Sequence, residues 1–367
     1  AYGDTDDTTL FVVPLHLRID GHEQKVLLEG DELRIELPSA GSTVVVNAGG
    51  HGFVRVGYDD ELRSRLIGSE LGNLTIIDRY NLVDDAWNEV VAGRLAAADF
   101  ITFAEGFVHD RELAVWQAIA IGLRGVGRLV QGAAYTAFQQ RVAALVQPAL
   151  ADLGWAAVPG ESDLRAKLRG LLVGTLAVLG NDADAQARCR EILHGADADP
   201  ELIAAATNAV AVHGTDADFD DYVERFRRAD TPQEQLRYLY ALAEFPQQAQ
   251  IDRAVELAFS GEVRTQNAPF LLNRCIANRW HGEAAWQTVR RRWVEANDRF
   301  PGSTIVRMID PVKLLTTPAV VADVQSFFSE HPIPQAAQTL DQVLERQRVN
   351  AAMLAREAER LAAAITG

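Results

Sequence analysis

At Asn47-Ala-Gly-Gly-His-Gly-Phe-Val-Arg-Val-Gly-Tyr58 the hydrophobic period of the chain changes, and that change restricts its possible folds more than any other feature. Upstream, apolar residues alternate in twos; downstream, they recur at helical spacing. Gly49, Gly50 and Gly52 suit a tight turn, because a residue without Cβ adopts φ > 0 without steric cost. Phe53, Val54, Arg55, Val56 and Tyr58 predict a short strand. Asp59-Asp60-Glu61 then set carboxylates where a first helix presents the positive end of its dipole. A small β unit is expected to join a long helical array at this point.

The β unit reads as a run of short segments. Leu10 to Leu17 is strand-like with Pro14 marking an edge or bulge, and Gly21-His22 is a plausible turn. Lys25 to Leu28, Leu33 to Leu37 and Thr43 to Asn47 follow, separated by Gly30-Asp31 and by Pro38 to Gly41. Short strands with turns roughly every 8–10 residues indicate an antiparallel sandwich, and about five strands are too few to close one. Residues 1–58 are therefore expected to form a partial antiparallel β-sandwich domain, and residues 59–367 an α-helical domain.

The helical part carries amphipathic patterns over Leu74–Leu95, Ala96–Phe107, Glu112–Leu123 and Tyr135–Leu153. Beyond a break at Gly154–Ser162 the sequence becomes quasi-periodic. Gly180-Asn-Asp-Ala-Asp184 and Gly214-Thr-Asp-Ala-Asp218 lie 34 residues apart, and Phe245-Pro-Gln-Gln248 takes the same role further on. A two-helix repeat of roughly this size is that of tetratricopeptide or HEAT units. The tetratricopeptide consensus is absent, so the pattern predicts a mainly α fold, a HEAT/armadillo-like solenoid with a concave face. The charged, alanine-rich stretch from about Pro334 to Ala364 suits a terminal helical cap.

Composition narrows the partners. The net charge of −16, from 35 basic and 51 acidic residues, opposes nucleic acid or an anionic membrane as partner. No apolar run approaches the roughly 20 residues of a membrane span. The opening Ala1-Tyr-Gly-Asp-Thr-Asp-Asp7 has no basic-then-apolar signal pattern, and its abrupt start reads as an excised piece of a longer chain. Cys189 and Cys275 sit in apolar helical patterns outside any Cys-x-x-Cys cluster, as small buried hydrophobes would, and suit a reducing cytoplasm.

No self-sufficient catalytic site is legible. The histidines His16, His22, His51, His109, His194, His213, His281 and His331 are scattered singly, and none belongs to H-E-x-x-H. His109-Asp-Arg-Glu112 reads as a solvated helix start. Gly122-Leu-Arg-Gly-Val-Gly127 follows a helical pattern instead of a strand and lacks G-K-[ST], so it is not a phosphate loop. Arg290-Arg-Arg-Trp293 reads as a solvated helix face. The catalytic and metal residues assigned from the residues themselves are none.

Several stretches nevertheless share a pattern. Val13-Pro-Leu-His-Leu17, Val46-Asn47, Gly52-Phe-Val-Arg-Val-Gly-Tyr-Asp59, and Asp78-Arg79 with Leu82 and Asp84-Asp-Ala86 resemble the C-terminal half of the gluzincin zinc aminopeptidases. That family holds the aminopeptidase N, puromycin-sensitive and endoplasmic-reticulum aminopeptidases. Phe259 to Gln266, Ile276 to Arg279, Ala285-Trp286, Trp293 and Phe327-Phe328 extend the resemblance in the same order. It implies the end of a β-sandwich domain and all of a helical C-terminal domain. The zinc would belong to a catalytic domain of the parent enzyme, missing here, so this chain is expected to need no cofactor and to be inactive alone.

The implied role is a non-catalytic one: closing a substrate chamber over that catalytic domain, the partner, and admitting peptides. Arg274 and Arg279 are expected to line the chamber and meet the peptide's carboxylate end. Five residues apart, they would sit roughly 140° round a helix, so one at most points inward, and Arg279 is favoured. A cut β edge would also permit dimerisation. The alternative is a free-standing HEAT-like scaffold that binds a protein on its concave face.

Overall fold

The computed structural model describes residues 10–195 and 198–367; the opening Ala1 to Asp7 lies outside them. The chain is mainly helical, with a small antiparallel sheet near its N-terminus. Strands β1 (Val13–Ile19), β2 (His22–Leu28) and β3 (Val44–Val46) lie in the order β2-β1-β3. Ile19 pairs with His22, so the β1–β2 connection is the two-residue loop Asp20-Gly21, with φ of 46° and 83°. Both residues are left-handed, as a hairpin turn matched to the strand twist requires. The turn thus falls one residue before the expected Gly21-His22.

Among the described residues three strands replace the five expected. Leu33–Leu37 and Phe53–Tyr58 run without ladder partners, and β1 begins at Val13 instead of Leu10. Phe53–Tyr58 is held by side chains: Tyr58 Oη accepts from Val46 N at 3.0 Å, and Arg55 pairs with Asp84 and Asp85. Those anchors replace ladder bonds and keep the segment extended. Period-2 alternation signals extended backbone, but a strand also needs a neighbour in register.

The chain divides into two compact units. The first runs to Trp155 and adds Ser162–Leu168 and Glu357–Gly367; the second holds Ala156–Glu161 and Arg169–Arg356. In the first unit, α1 (Asp60–Ile67) is capped by Asp59, which accepts from Leu62 N, with Asp60 and Glu61 in its first turn as expected. Then come α2 (Ile76–Ala92), α3 (Ala97–Glu105), α4 (Leu113–Gly127) and α5 (Gly132–Leu153). Gly122 and Gly125 of α4 explain the glycine run there. A Cβ on Gly122 would strike the Phe100 ring, and one on Gly125 the Trp87 ring. These glycines let helices approach closely around the Trp87–Phe100 pair, whose ring centroids are 5.7 Å apart.

After α6 (Asp163–Gly174) and a π turn at Thr175–Leu179, the second unit stacks sequence neighbours. These are α7 (Ala183–His194) on α8 (Pro200–Val212), α9 (Asp216–Arg228) on α10 (Pro232–Ala241), and α11 (Gln248–Ser260) on α12 (Ala268–Ala277). The quasi-repeats mark helix starts, though not at the same letter. Asp182 caps α7 through Ala185 N, Thr215 caps α9 one position earlier in its repeat, and Gln250 Oε1 accepts from Gln247 N at α11.

Then follow α13 (Gly282–Arg291), α14 (Trp293–Arg299), α15 (Gly302–Ile309), α16 (Pro318–Glu330) and α17 (Ala337–Thr366). Trp286, Trp293, Phe327 and Phe328 form one aromatic core with centroid separations of 5.2 to 5.7 Å. Trp286 Nε1 donates to Asp323 at 3.1 Å. Among the described residues no helix is long and apolar enough to cross a membrane.

Candidate functional site

Several of the residues that carry the family-like pattern act as fasteners. Asp78, 2% exposed, is the third residue of α2 and forms a reciprocal cap with Thr75. Its Oδ1 accepts from Gly49 N at 2.8 Å and its Oδ2 from Arg18 Nη1 at 2.9 Å. One carboxylate thus ties β1, the glycine turn and the start of α2 together. These contacts hold its pKa down against the opposing effect of burial. The turn itself is closed by Asn47, at φ 58°, whose side chain bonds both Gly52 N and Gly52 O.

Arg79, next in sequence, donates Nε to Asp110 at 2.6 Å and Nη1 to Leu74 O at 2.7 Å. Asp110 is buried and also accepts from Glu112 N, so His109-Asp-Arg-Glu112 is a helix start with His109 in solvent, as expected, but with Asp110 anchored inside. Sequence alone could not assign it, because Asp110's partner lies on another helix. Asp85, beside Asp84, is buried against Arg55, and desolvation pushes its carboxyl up to about 6.

The two arginines singled out in the sequence occupy one end of α12, in the second unit. Arg274 lies on the helix, half exposed, 5.0 Å from the Tyr240 ring centroid and 3.9 Å from Glu244. Arg279 is not on the helix at all. Asn278 caps α12, and Arg279 falls in the turn beyond it, so the expected angle of 140° round a shared helix does not apply. The cause is Asn278, whose Oδ1 accepts from Trp280 N and His281 N, both at 3.0 Å. Its Nδ2 donates to Ala243 O at 2.9 Å and Phe245 O at 3.2 Å. A side-chain amide that binds its own backbone two residues on makes a turn and stops a helix.

That turn presents Arg279 with its guanidinium 4.7 Å from the exposed Trp280 ring. His281 Nε2 donates to Pro246 O at 2.8 Å and fastens the far side. The result is a surface of two cation–aromatic pairs, Arg274 with Tyr240 and Arg279 with Trp280, with Glu244 beside the first. Guanidiniums backed by aromatic rings bind carboxylates or planar groups, and an exposed indole offers an apolar platform beside them. Tyr240, Trp280 and Asn278 escaped the sequence reading. The signal available was Asn278 itself, a turn-forming amide directly before Arg279.

The other candidates are absorbed by structure. Arg290 pairs with Asp323, and Arg292 with Glu256 and Glu295, so two of the three arginines in the basic run are paired with acids. Cys189 and Cys275 are free and buried, and burial pushes the Cys189 thiol up to about 11. Among the described residues no three His, Cys, Asp or Glu side chains converge as a metal site would require.

A small antiparallel sheet fastened to its first helices, followed by stacked helices, defines a mainly α protein. The profile of the ERAP1-like C-terminal domain matches residues 43–349, and the chain belongs to that family. It is 27% identical to aminopeptidase M1-A of Oryza sativa subsp. japonica over 84% of its own length and 36% of the relative's. Aminopeptidase M1 of Arabidopsis thaliana is 28% identical over 84% of this chain and 37% of the relative. The puromycin-sensitive aminopeptidase of Caenorhabditis elegans is 26% identical over 74% of this chain and 30% of the relative. The chain thus spans well under half the length of these relatives.

Proposed function

We propose that this chain is the non-catalytic C-terminal region of a zinc-dependent aminopeptidase, one that hydrolyses N-terminal residues from peptides. In the longer protein it closes a substrate chamber over a zinc domain that these residues do not supply. The observation that carries the reading is the family match over residues 43–349, together with relatives named aminopeptidases that are much longer than this chain. A HEAT-like stacking of the second unit and a cytoplasmic setting belong to the same reading. Free, buried cysteines favour a reducing compartment.

Within it, Arg279 and Arg274 meet the carboxylate end of a bound peptide, with Trp280 and Tyr240 beneath the guanidiniums. In the longer protein, Arg279→Ala should raise KM for long peptides while kcat/KM for dipeptide-sized substrates stays unchanged. Equal effects on both would discard this role. The chain by itself should not turn over an alanyl chromogenic amide. Chelator-sensitive turnover with one bound zinc per chain would sink the reading, and a reading frame without an upstream H-E-x-x-H would favour the scaffold instead.

A further inference from the structure

Two histidine rings meet where the sheet gives way to the glycine turn. His16, midway along β1, and His51, between Gly50 and Gly52, have ring centroids 4.8 Å apart and planes inclined at 50°. The backbone under each ring is fixed. His16 pairs with Lys25 in the β1–β2 register. The turn that carries His51 is held on both sides: Asp78 accepts from Gly49 N at 2.8 Å, and Asn47 binds both Gly52 N and Gly52 O. Gly49, at φ 76°, leaves the space that the His51 ring occupies, since a Cβ there would lie 2.8 Å from Nε2.

Neither ring is engaged by the protein. His213, His281 and His331 each bond a backbone carbonyl through a ring nitrogen. His16 and His51 have no hydrogen bond or ion pair from their rings among the described residues. Nor do they stack face to face, as Phe327 and His331 do at 4.3 Å and 13°. A metal ion held by two imidazoles stands about 3.2 Å from each ring centroid, and ligand angles of about 90–110° then put the centroids roughly 4.5–5.2 Å apart. The observed 4.8 Å falls inside that interval.

We propose that His16 and His51 together bind one divalent transition-metal ion, of the class that prefers imidazole nitrogen, with water in its remaining positions. Two protein ligands are one short of a resident catalytic zinc, so the ion is exchangeable and acts as a clip between β1 and the turn. Lys25 is the cation opposite His16, on an exposed side chain, and Arg18 on the same face is already paired with Asp78 at 2.9 Å. The inference rests on this pair of rings alone, so its outcome leaves the aminopeptidase reading untouched.

Isothermal titration of the untagged, metal-stripped full chain with Ni²⁺ and with Mg²⁺ tests it. Ni²⁺ should bind saturably at one ion per chain, and Mg²⁺, which prefers oxygen ligands, should not bind. His16→Gln and His51→Gln should each weaken Ni²⁺ binding at least about tenfold, because the second imidazole no longer acts at high effective concentration. His109→Gln should change nothing. Saturating Ni²⁺ should raise the melting temperature of the wild type and leave that of His51→Gln where it was. Circular dichroism of the metal-free variants checks folding, and His51→Gln, at an exposed position, carries the test if His16→Gln misfolds. No saturable Ni²⁺ binding at millimolar concentration would overturn the proposal. So would unchanged affinity in His51→Gln, or equal binding of Mg²⁺.

Discussion

Asp78 and Asp84 are both acidic residues on α2 with an arginine partner, yet their surroundings differ. Asp78's side chain is fully buried and Arg18's is 14% exposed, whereas Asp84 and Arg55 are 26% and 58% exposed. Removing one partner of a buried pair strands the other charge, at roughly 3–5 kcal/mol, while an exposed pair contributes about 0–1 kcal/mol. In urea titrations Asp78→Ala should therefore destabilise the chain severely and Asp84→Ala barely; similar midpoints would contradict the fastener role. Asp85 adds a pH signature of opposite sign to Asp78. Its folded pKa of about 6 lies above the ordinary carboxylate range, so the folded form holds the proton more tightly. Its contribution is full below the unfolded pKa and is lost as pH rises through about 6. Asp78, with a lowered pKa, contributes above its unfolded value and loses that contribution as pH falls through its folded pKa. Asp85→Asn should flatten the decline in urea midpoint between about pH 4 and 6. An unchanged decline would refute the assignment.

At the scale of the elements, two helical glycines separate propensity from packing. Gly122 in α4 faces the Phe100 ring with no room for a Cβ, whereas at Gly174 in α6 the nearest atom to an added Cβ is Ala205 Cβ, at 3.7 Å. Gly→Ala in a helix gains up to about 1 kcal/mol of propensity, and overpacking a core costs about 1–3 kcal/mol. Gly174→Ala should thus raise the melting temperature and Gly122→Ala lower it. A rise for Gly122→Ala as well would show that the Phe100 contact yields easily. Sequence legibility follows the same division. The helices of the first unit and α17 were readable because each buries one periodic face. Phe53–Tyr58 misled because its apolar alternation is satisfied by Tyr58 and Arg55 reaching to other segments. The end of α12 misled because Asn278's partners, Ala243 and Phe245, lie on the preceding turn of the fold.

For the whole molecule, an apolar segment among the described residues lies exposed just before the sheet. Leu10, Phe11 and Val12 are 64%, 69% and 62% exposed directly before β1, whereas Val44–Val46 is already paired with β1. Exposed, β-prone residues at a strand end invite pairing with another chain, and the polar start of β2, His22-Glu23-Gln24-Lys25, guards against it along that edge. We propose that the chain dimerises through Leu10–Val12. Light scattering should then show a dimer that Phe11→Lys converts to monomer. A wild-type monomer at the same concentration would end the idea.

The sequence alone determined the class of the fold, several of the helix starts and the family resemblance. Those depend on local periodicity, capping chemistry and motif order, which are written along the chain. Tertiary structure alone decided which extended segments pair, that Asp110 and Asp85 are buried, and that Arg279 leaves the helix to sit on Trp280. Each of these depends on a partner distant in sequence. A carboxylate or guanidinium takes its role from what surrounds it, and only folding brings those surroundings together.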